Sequence, residues 1–244
     1  MAETSETDPR TAQLRQRLEA VNLRIAEASI AAGRSDNAPR LIVVTKFHPA
    51  DDVRRLAGLG VSDFGENRDQ EASEKAATLS GLDVRWHFVG QLQSKKSKNV
   101  VRYAHAVHSV DRPQLVETLG RAMAAEQETS GRGPLECFIQ VSLEDDAGAH
   151  RGGAAPVDVA LLAERVEAAD GLQLAGVMAV APLGADPERA FAKLADISAR
   201  LRADHPAAEG ISAGMSQDLE SAIRYGATHL RIGSDILGSR PAVR

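Results

Sequence analysis

Between Leu41 and Ile232, short strand-like runs alternate with segments of helical periodicity, and that alternation leaves few folds open. The runs are Leu41 to Thr45, Asp63 to Gly65, Arg85 to Val89, Ala106 to Val110, Glu136 to Val141, Leu174 to Val180, Gly210 to Ala213 and His229 to Ile232. The first is mostly β-branched and apolar at successive positions, so both faces must be buried, as in a parallel strand covered by helices. The helical segments carry apolar stripes: Leu115, Leu119 and Met123 behind Pro113; Val159, Leu162 and Val166; Ala190, Leu194, Ile197 and Leu201. Asp186-Pro187 supplies an N-cap and an N1 proline for the last of these. Eight such units within about 200 residues predict a single (β/α)8 TIM barrel of the α/β class. A doubly wound open sheet is the alternative. A stripe of Leu14, Leu18, Val21 and Ile25 precedes every strand and predicts an extra N-terminal helix, broken at Gly33 to Pro39. No Pro/Ser-rich linker divides the chain, so residues 10–244 read as one domain. Residues 1–9 are polar and acidic, lack the apolar stretch of a signal peptide, and read as a disordered tail.

Composition removes several classes of function. A net charge of −5 lacks the basic excess of a general nucleic-acid binder. The single cysteine, Cys137, can form neither an internal disulfide nor a cysteine-based zinc site, and suits the cytoplasm. No apolar run approaches the ~20 residues that span a membrane. Lys95, Lys96 and Lys98 form a short basic run that reads as a solvated helix face. His87, His105 and His108 lack a metal-ligand spacing, so packing or hydrogen bonding is expected of them and no metal site is predicted.

Sites on barrels form at the carboxyl ends of the strands. The polar residues there are Lys46, Glu66, Asn67, Gln91, Met215-Ser216, Arg231 and Gly233-Ser234. A lysine whose stem lies against an apolar wall is pushed toward its neutral form, and a neutral amine attacks aldehydes. Lys46 fits this description, and it equally fits a side chain that snorkels at a strand end. Gly233-Ser234 and Gly214-Met215-Ser216 follow strands eight and seven, the loops where barrels often bind phosphate. Either serine alone reads as an N-cap; their coincidence points to an anion. Asp218 and Glu220 would repel phosphate if they faced it and must therefore point outward. Arg231 lies two residues before Gly233, on the same strand face, and calls for an anionic or acceptor partner.

With these residues in place, the sequence resembles the pyridoxal phosphate homeostasis proteins, of the alanine racemase N-terminal-domain type. The matching runs are VVTKFHP at 43–49, FGENRDQE at 64–71, WHFVGQLQSKKSK at 86–98 and HSVDR at 108–112. They continue with GVMAV at 176–180, GMSQDLESAI at 214–223 and LRIGSDILGSR at 230–240. The resemblance implies pyridoxal 5′-phosphate (PLP), a vitamin B6 form, as cofactor. Lys46 would hold it as an internal aldimine, a Schiff base. Ser216, Gly233 and Ser234 would bind its phosphate, Arg231 would face the pyridine nitrogen, and Asn67 would lie by the ring and its hydroxyl. Where the family often has threonine, this chain has Ser234, which keeps the hydroxyl. Residues 144–153 depart from the family's lysine-containing loop and contribute no ligand.

The resemblance implies a binder that serves intracellular PLP balance rather than an enzyme with robust turnover. An arginine at the pyridine nitrogen cannot accept a proton bond, which weakens the ring as an electron sink. The alternative is an amino-acid racemase, which needs a second acid–base group opposite the lysine, usually a tyrosine. Tyr103 and Tyr225 are both expected away from the strand ends. A class I aldolase-type barrel fits only loosely. The expected partners are PLP and apo forms of PLP-dependent enzymes as acceptors, with no nucleic acid or membrane and with the chain as a monomer.

Overall fold

The computed structural model describes residues 8–144 and 152–239. Helix α1 (Pro9–Ala31) starts at Pro9 because Asp8 accepts a hydrogen bond from the Arg10 N–H at 3.3 Å and proline suits the first turn. It therefore begins inside the stretch expected as a tail; the rest of that stretch, residues 1–7, lies outside the described residues. The buried face of α1 is the expected one, Leu14, Leu18, Val21 and Ile25.

Eight strands follow: β1 (Arg40–Val44), β2 (Asp63–Glu66), β3 (Arg85–Phe88), β4 (Ala104–Val110), β5 (Leu135–Gln140), β6 (Leu172–Met178), β7 (Gly210–Ser212) and β8 (His229–Ile232). Each overlaps a strand expected from the sequence. All pair in parallel in chain order, and β8 returns to β1 with Ile42 opposite Arg231, which closes the barrel and excludes the open sheet. The outer layer comprises α2 (Ala50–Gly58), α3 (Asp69–Thr78), α4 (Ser97–Val100), α5 (Pro113–Ser130), α6 (Val159–Glu167), α7 (Pro187–Asp204), α8 (Leu219–Arg224) and α9 (Ser234–Leu237). Helix α1 packs on α2, α8 and α9, where the helices that follow β7 and β8 are short.

Alternation along the strands divides the protein into two environments. Outward residues such as Val43, Phe64, Val107, Ile139, Val177 and Ile232 join the helix stripes in one large apolar cluster between sheet and helices. The inward set is different. Ala106, Phe138 and Met178 form a small cluster of their own. Asp63, His87, His108, Ser212 and Arg231, on the same period-two positions, are also buried. Barrel interiors are usually filled by branched apolar side chains, so this polar lumen requires hydrogen-bond partners for each member. Glycine makes room in it: a Cβ at Gly210 would lie 2.6 Å from the Phe138 ring.

Candidate functional site

The residue after Lys46 has a backbone conformation that side chains rarely adopt. Phe47 has φ 68°, a left-handed geometry that costs about 1–3 kcal/mol for a non-glycine residue. Its N–H donates to Glu71 Oε1 at 2.6 Å, and the Arg68 guanidinium lies 4.9 Å from its ring centroid. Lys75 secures the same turn from beneath. It is buried and donates to the Thr45 carbonyl at 2.8 Å, Glu66 Oε1 at 2.6 Å and Glu71 Oε1 at 2.7 Å. Glu66, a candidate from its place in the sequence, is thus turned away from the barrel mouth to bind Lys75 and the Thr45 hydroxyl. The kink brings Lys46 and His48, two residues apart, to one cavity.

That cavity, about 720 Å³, occupies the carboxyl end of the barrel. Lys46, Asn67, Ser216, Arg231, Gly233 and Ser234 all line it. Val180, Pro182 and Leu183 from the loop after β6, with Met178 and Met215, supply apolar wall. Gln91, also a candidate, is exposed and is not part of its lining. The Ser216 and Ser234 hydroxyls are 3.3 Å apart, so the loops after β7 and β8 present two hydroxyls as one cup. Gly233 lies against β1: a Cβ there would be 3.0 Å from the Val44 carbonyl oxygen.

The acidic residues beside this cup are accounted for. Glu220 points outward and pairs with Arg24 of α1 at 2.8 Å, as expected. Asp218 does not point outward. It borders the cavity, and its Oδ1 accepts the Met215 N–H at 2.6 Å, closing the loop that carries Ser216. Ser216 itself precedes α8, which starts only at Leu219, so it belongs to the loop and not to the helix start. Arg24 also reaches the Ser216 carbonyl and Asp235 Oδ2, each at 3.0 Å, and so ties the loops after β7 and β8 to α1.

Arg231 crosses from β8 into the lumen. Its Nη1 donates to Ser212 Oγ at 2.6 Å and its Nη2 to the Ala179 carbonyl at 2.9 Å. Burial lowers its pKa to about 10, which leaves it cationic at neutral pH. Asn67 is placed by a close backbone approach, since a Cβ on Gly90 would run into the Asn67 carbonyl. Asn67 Oδ1 is buried without a hydrogen-bond partner, an atom that a ligand group at the cavity would satisfy. His48, which sequence reasoning did not single out, lines the same cavity; burial lowers its pKa, and Nδ1 lies 3.8 Å from Asp52 Oδ2. The signal for it was the HP pair that begins two residues after the strand-one lysine. Tyr103 sits 3.4 Å from Asp69 and Tyr225 caps α8; neither lines the cavity. Among the described residues no group of His, Cys, Asp or Glu could hold a metal ion, and no helix is long and apolar enough to cross a membrane.

A closed parallel barrel whose mouth gathers an amine, a buried guanidinium and a hydroxyl cup defines a class of protein that can hold a phosphorylated carbonyl compound. The chain belongs to the family described as alanine racemase, N-terminal domain, whose pattern matches residues 17–241. The pyridoxal phosphate homeostasis protein of Mycobacterium tuberculosis is 41% identical over 253 residues, covering 98% of this chain and 97% of the relative. That of Corynebacterium glutamicum is 43% identical over 210 residues, covering 85% and 93%. The structure of PipY from Synechococcus elongatus with PLP bound is 32% identical, with a TM-score of 0.78, over 92% of this chain and 100% of that one.

Proposed function

We propose that this chain binds PLP at the barrel mouth and serves the cell's balance of that cofactor, with Lys46 as its covalent tether. The observation that carries the reading is the convergence of Lys46, Asn67, Arg231, Ser216, Gly233 and Ser234 on one cavity. The donor set fits the group. Two hydroxyls and the backbone at Gly233 suit a phosphate, and the partnerless Asn67 Oδ1 marks a polar contact still to be made. When bound, PLP supplies an aldehyde that condenses with amines and a ring that withdraws electrons.

Lys46 would hold the aldehyde carbon. The Arg231 guanidinium, a donor only, would offer no proton acceptor to the ring nitrogen, where an electron-sink enzyme would place a carboxylate. Val180, Pro182 and Met178 exclude water from one side. This arrangement suits storage and delivery to apo-enzymes better than turnover. The test is borohydride reduction of PLP-loaded protein followed by peptide mapping. A pyridoxyl mass on Lys46, absent in Lys46→Ala, is expected; the label on another lysine alone refutes the tether.

One observation favours slow amino-acid racemisation as a second reading: His48 lines the cavity together with Lys46, so a second base is present although no tyrosine is. Incubation of loaded protein with single-enantiomer amino acids in deuterated water decides between them. Storage predicts negligible α-deuterium exchange. Exchange at enzyme-like rates that is lost in His48→Gln establishes the racemase.

A further inference from the structure

A line of hydrogen bonds runs from the far end of the barrel to the cavity. Asp63, the first residue of β2, accepts from His87 Nε2 at 2.9 Å. His87 Nδ1 lies 2.9 Å from His108 Nε2, and His108 Nδ1 lies 2.9 Å from Ser212 Oγ. Ser212 Oγ in turn receives Arg231 Nη1 at 2.6 Å. Every member is at least nine-tenths buried. The strands contribute one or more residues each from β2, β3, β4, β7 and β8, so the line crosses the lumen and does not follow a single strand.

The chemistry of the ends sets the direction. Arginine only donates and an ionised carboxylate only accepts. Asp63 is ionised: burial alone would raise its pKa, but hydrogen bonds from Arg85, His87 and Ser62 hold it well below the usual carboxylate range. His87 must therefore carry its proton on Nε2. With His87 neutral, its Nδ1 accepts, so His108 donates from Nε2. His108 Nδ1 then accepts from the Ser212 hydroxyl. That leaves a Ser212 lone pair for Arg231, and all four bonds point one way. Burial lowers the pKa of both histidines, and the groups that face them add to this or oppose it. His105 and His229 have ring centroids 5.8 and 6.5 Å from that of His87; Glu136 is 3.4 Å from His105; Arg231 faces His108; Arg85 and Arg40 face Asp63. Phe138 stacks on His108 with centroids 4.3 Å apart and blocks ring rotation. A second arrangement exists only with an extra proton: an imidazolium at His87 would reverse the His87–His108 and His108–Ser212 bonds.

We propose that Asp63, His87, His108 and Ser212 form a one-way hydrogen-bond relay through the barrel interior that positions Arg231 at the cofactor cavity. The proposal rests, for its consequence at the ring nitrogen, on the PLP reading above. The relay commits the Ser212 proton to His108, so the hydroxyl can only accept from the guanidinium. With Ala179 it pins both Nη atoms and fixes which N–H groups the cavity receives. These four are positioning residues; Arg231 alone borders the ligand.

The tests separate the relay from the PLP reading. In protein labelled with ¹⁵N-histidine and free of PLP, His87 and His108 are expected as neutral Nε2–H tautomers from pH 6 to 8.5. An imidazolium or an Nδ1–H tautomer at either one overturns the relay. In apo protein labelled with ¹⁵N-arginine, Arg231 Nη rotation measured by ¹⁵N exchange is expected to be slow, and faster in Ser212→Ala and in His108→Phe; unchanged rotation in both overturns the positioning role. In loaded protein, Ser212→Ala is expected to weaken PLP binding about tenfold, the loss of one hydrogen bond to a charged donor, and to shift the absorbance band of the bound cofactor. In an Arg231→Gln background the same change is expected to do neither, because the relay acts through the arginine. Additive losses overturn it. Native protein that takes up no PLP while giving both expected NMR results refutes the PLP reading and supports the relay.

Discussion

Lys75 has three oxygens around its ammonium and almost no water, and its neighbours depend on it. Burial raises the pKa of Glu66, and the nearby Lys75 charge opposes that rise. Lys75→Met would leave the Glu66 carboxylate buried without a cation and would release Glu71 from the Phe47 turn. The expected cost is about 3–5 kcal/mol in urea unfolding, with Glu66→Gln in the same chain recovering part of it. At the cup, Ser234→Ala is expected to weaken PLP binding by about 1 kcal/mol, roughly fivefold by spectroscopic titration, with little change in melting temperature because the side chain is exposed. At this scale the sequence was legible for location: Lys46, Arg231 and Ser234, picked out by chemistry and strand-end position, all border the cavity. It was not legible for Glu66, whose position is equally good. Only the packing of α3 against β2 supplies Lys75, nine residues on, and turns the carboxylate away.

At the scale of elements, α1 is more than a cover for the barrel. Arg24 is half-buried and joins Glu220, Asp235 and the Ser216 carbonyl. Exposed ion pairs contribute little to stability, about 0–1 kcal/mol, so Arg24→Gln is expected to leave the unfolding midpoint nearly unchanged. The same substitution unties the loops after β7 and β8 from a common strut. PLP affinity is therefore expected to fall about threefold to tenfold, as misplaced ligand groups lose part of each bond. Equal effects on stability and affinity would mean that Arg24 serves folding alone. The helix itself was legible from its stripe, whereas its role at the site was not. Residue 24 and residues 216–235 meet only because barrel closure brings the last helices beside the first.

At the scale of the whole molecule, the polar lumen makes the fold sensitive to acid. His229 has its pKa lowered to about 4, chiefly by burial, and His87 and His108 are lowered for the same reason. The unfolded chain takes up protons at these positions near pH 6.5. Above that pH neither state is protonated there and nothing is lost. As pH falls from 6.5 toward 4, the unfolded state binds protons that the folded state refuses, and stability drops. His229 alone accounts for about 3 kcal/mol over that window. The depressed Asp63 pKa acts in the same direction below the usual carboxylate range, where the unfolded chain protonates first. Urea titrations at pH 7.5 and 4.5 should show the loss, and His229→Phe should reduce it; a stability independent of pH across this range would contradict the neutral, buried histidines.

The sequence by itself determined the number and order of the strands, while the structure decided that they close into a barrel rather than an open sheet. Period-two and 3.6-residue patterns are local, whereas closure depends on the pairing of β8 with β1, the most distant strands in the chain. It also determined which residues stand at strand ends, and the resemblance pointed to their use. Tertiary structure alone decided which inward side chains meet. Asp63, His87, His108, Ser212 and Arg231 lie on five strands; within their strands the first four read merely as polar interruptions, and only Arg231 stood out. Their partnership depends on the register of each strand pair and on distances across the lumen, and those follow from closure of the whole sheet.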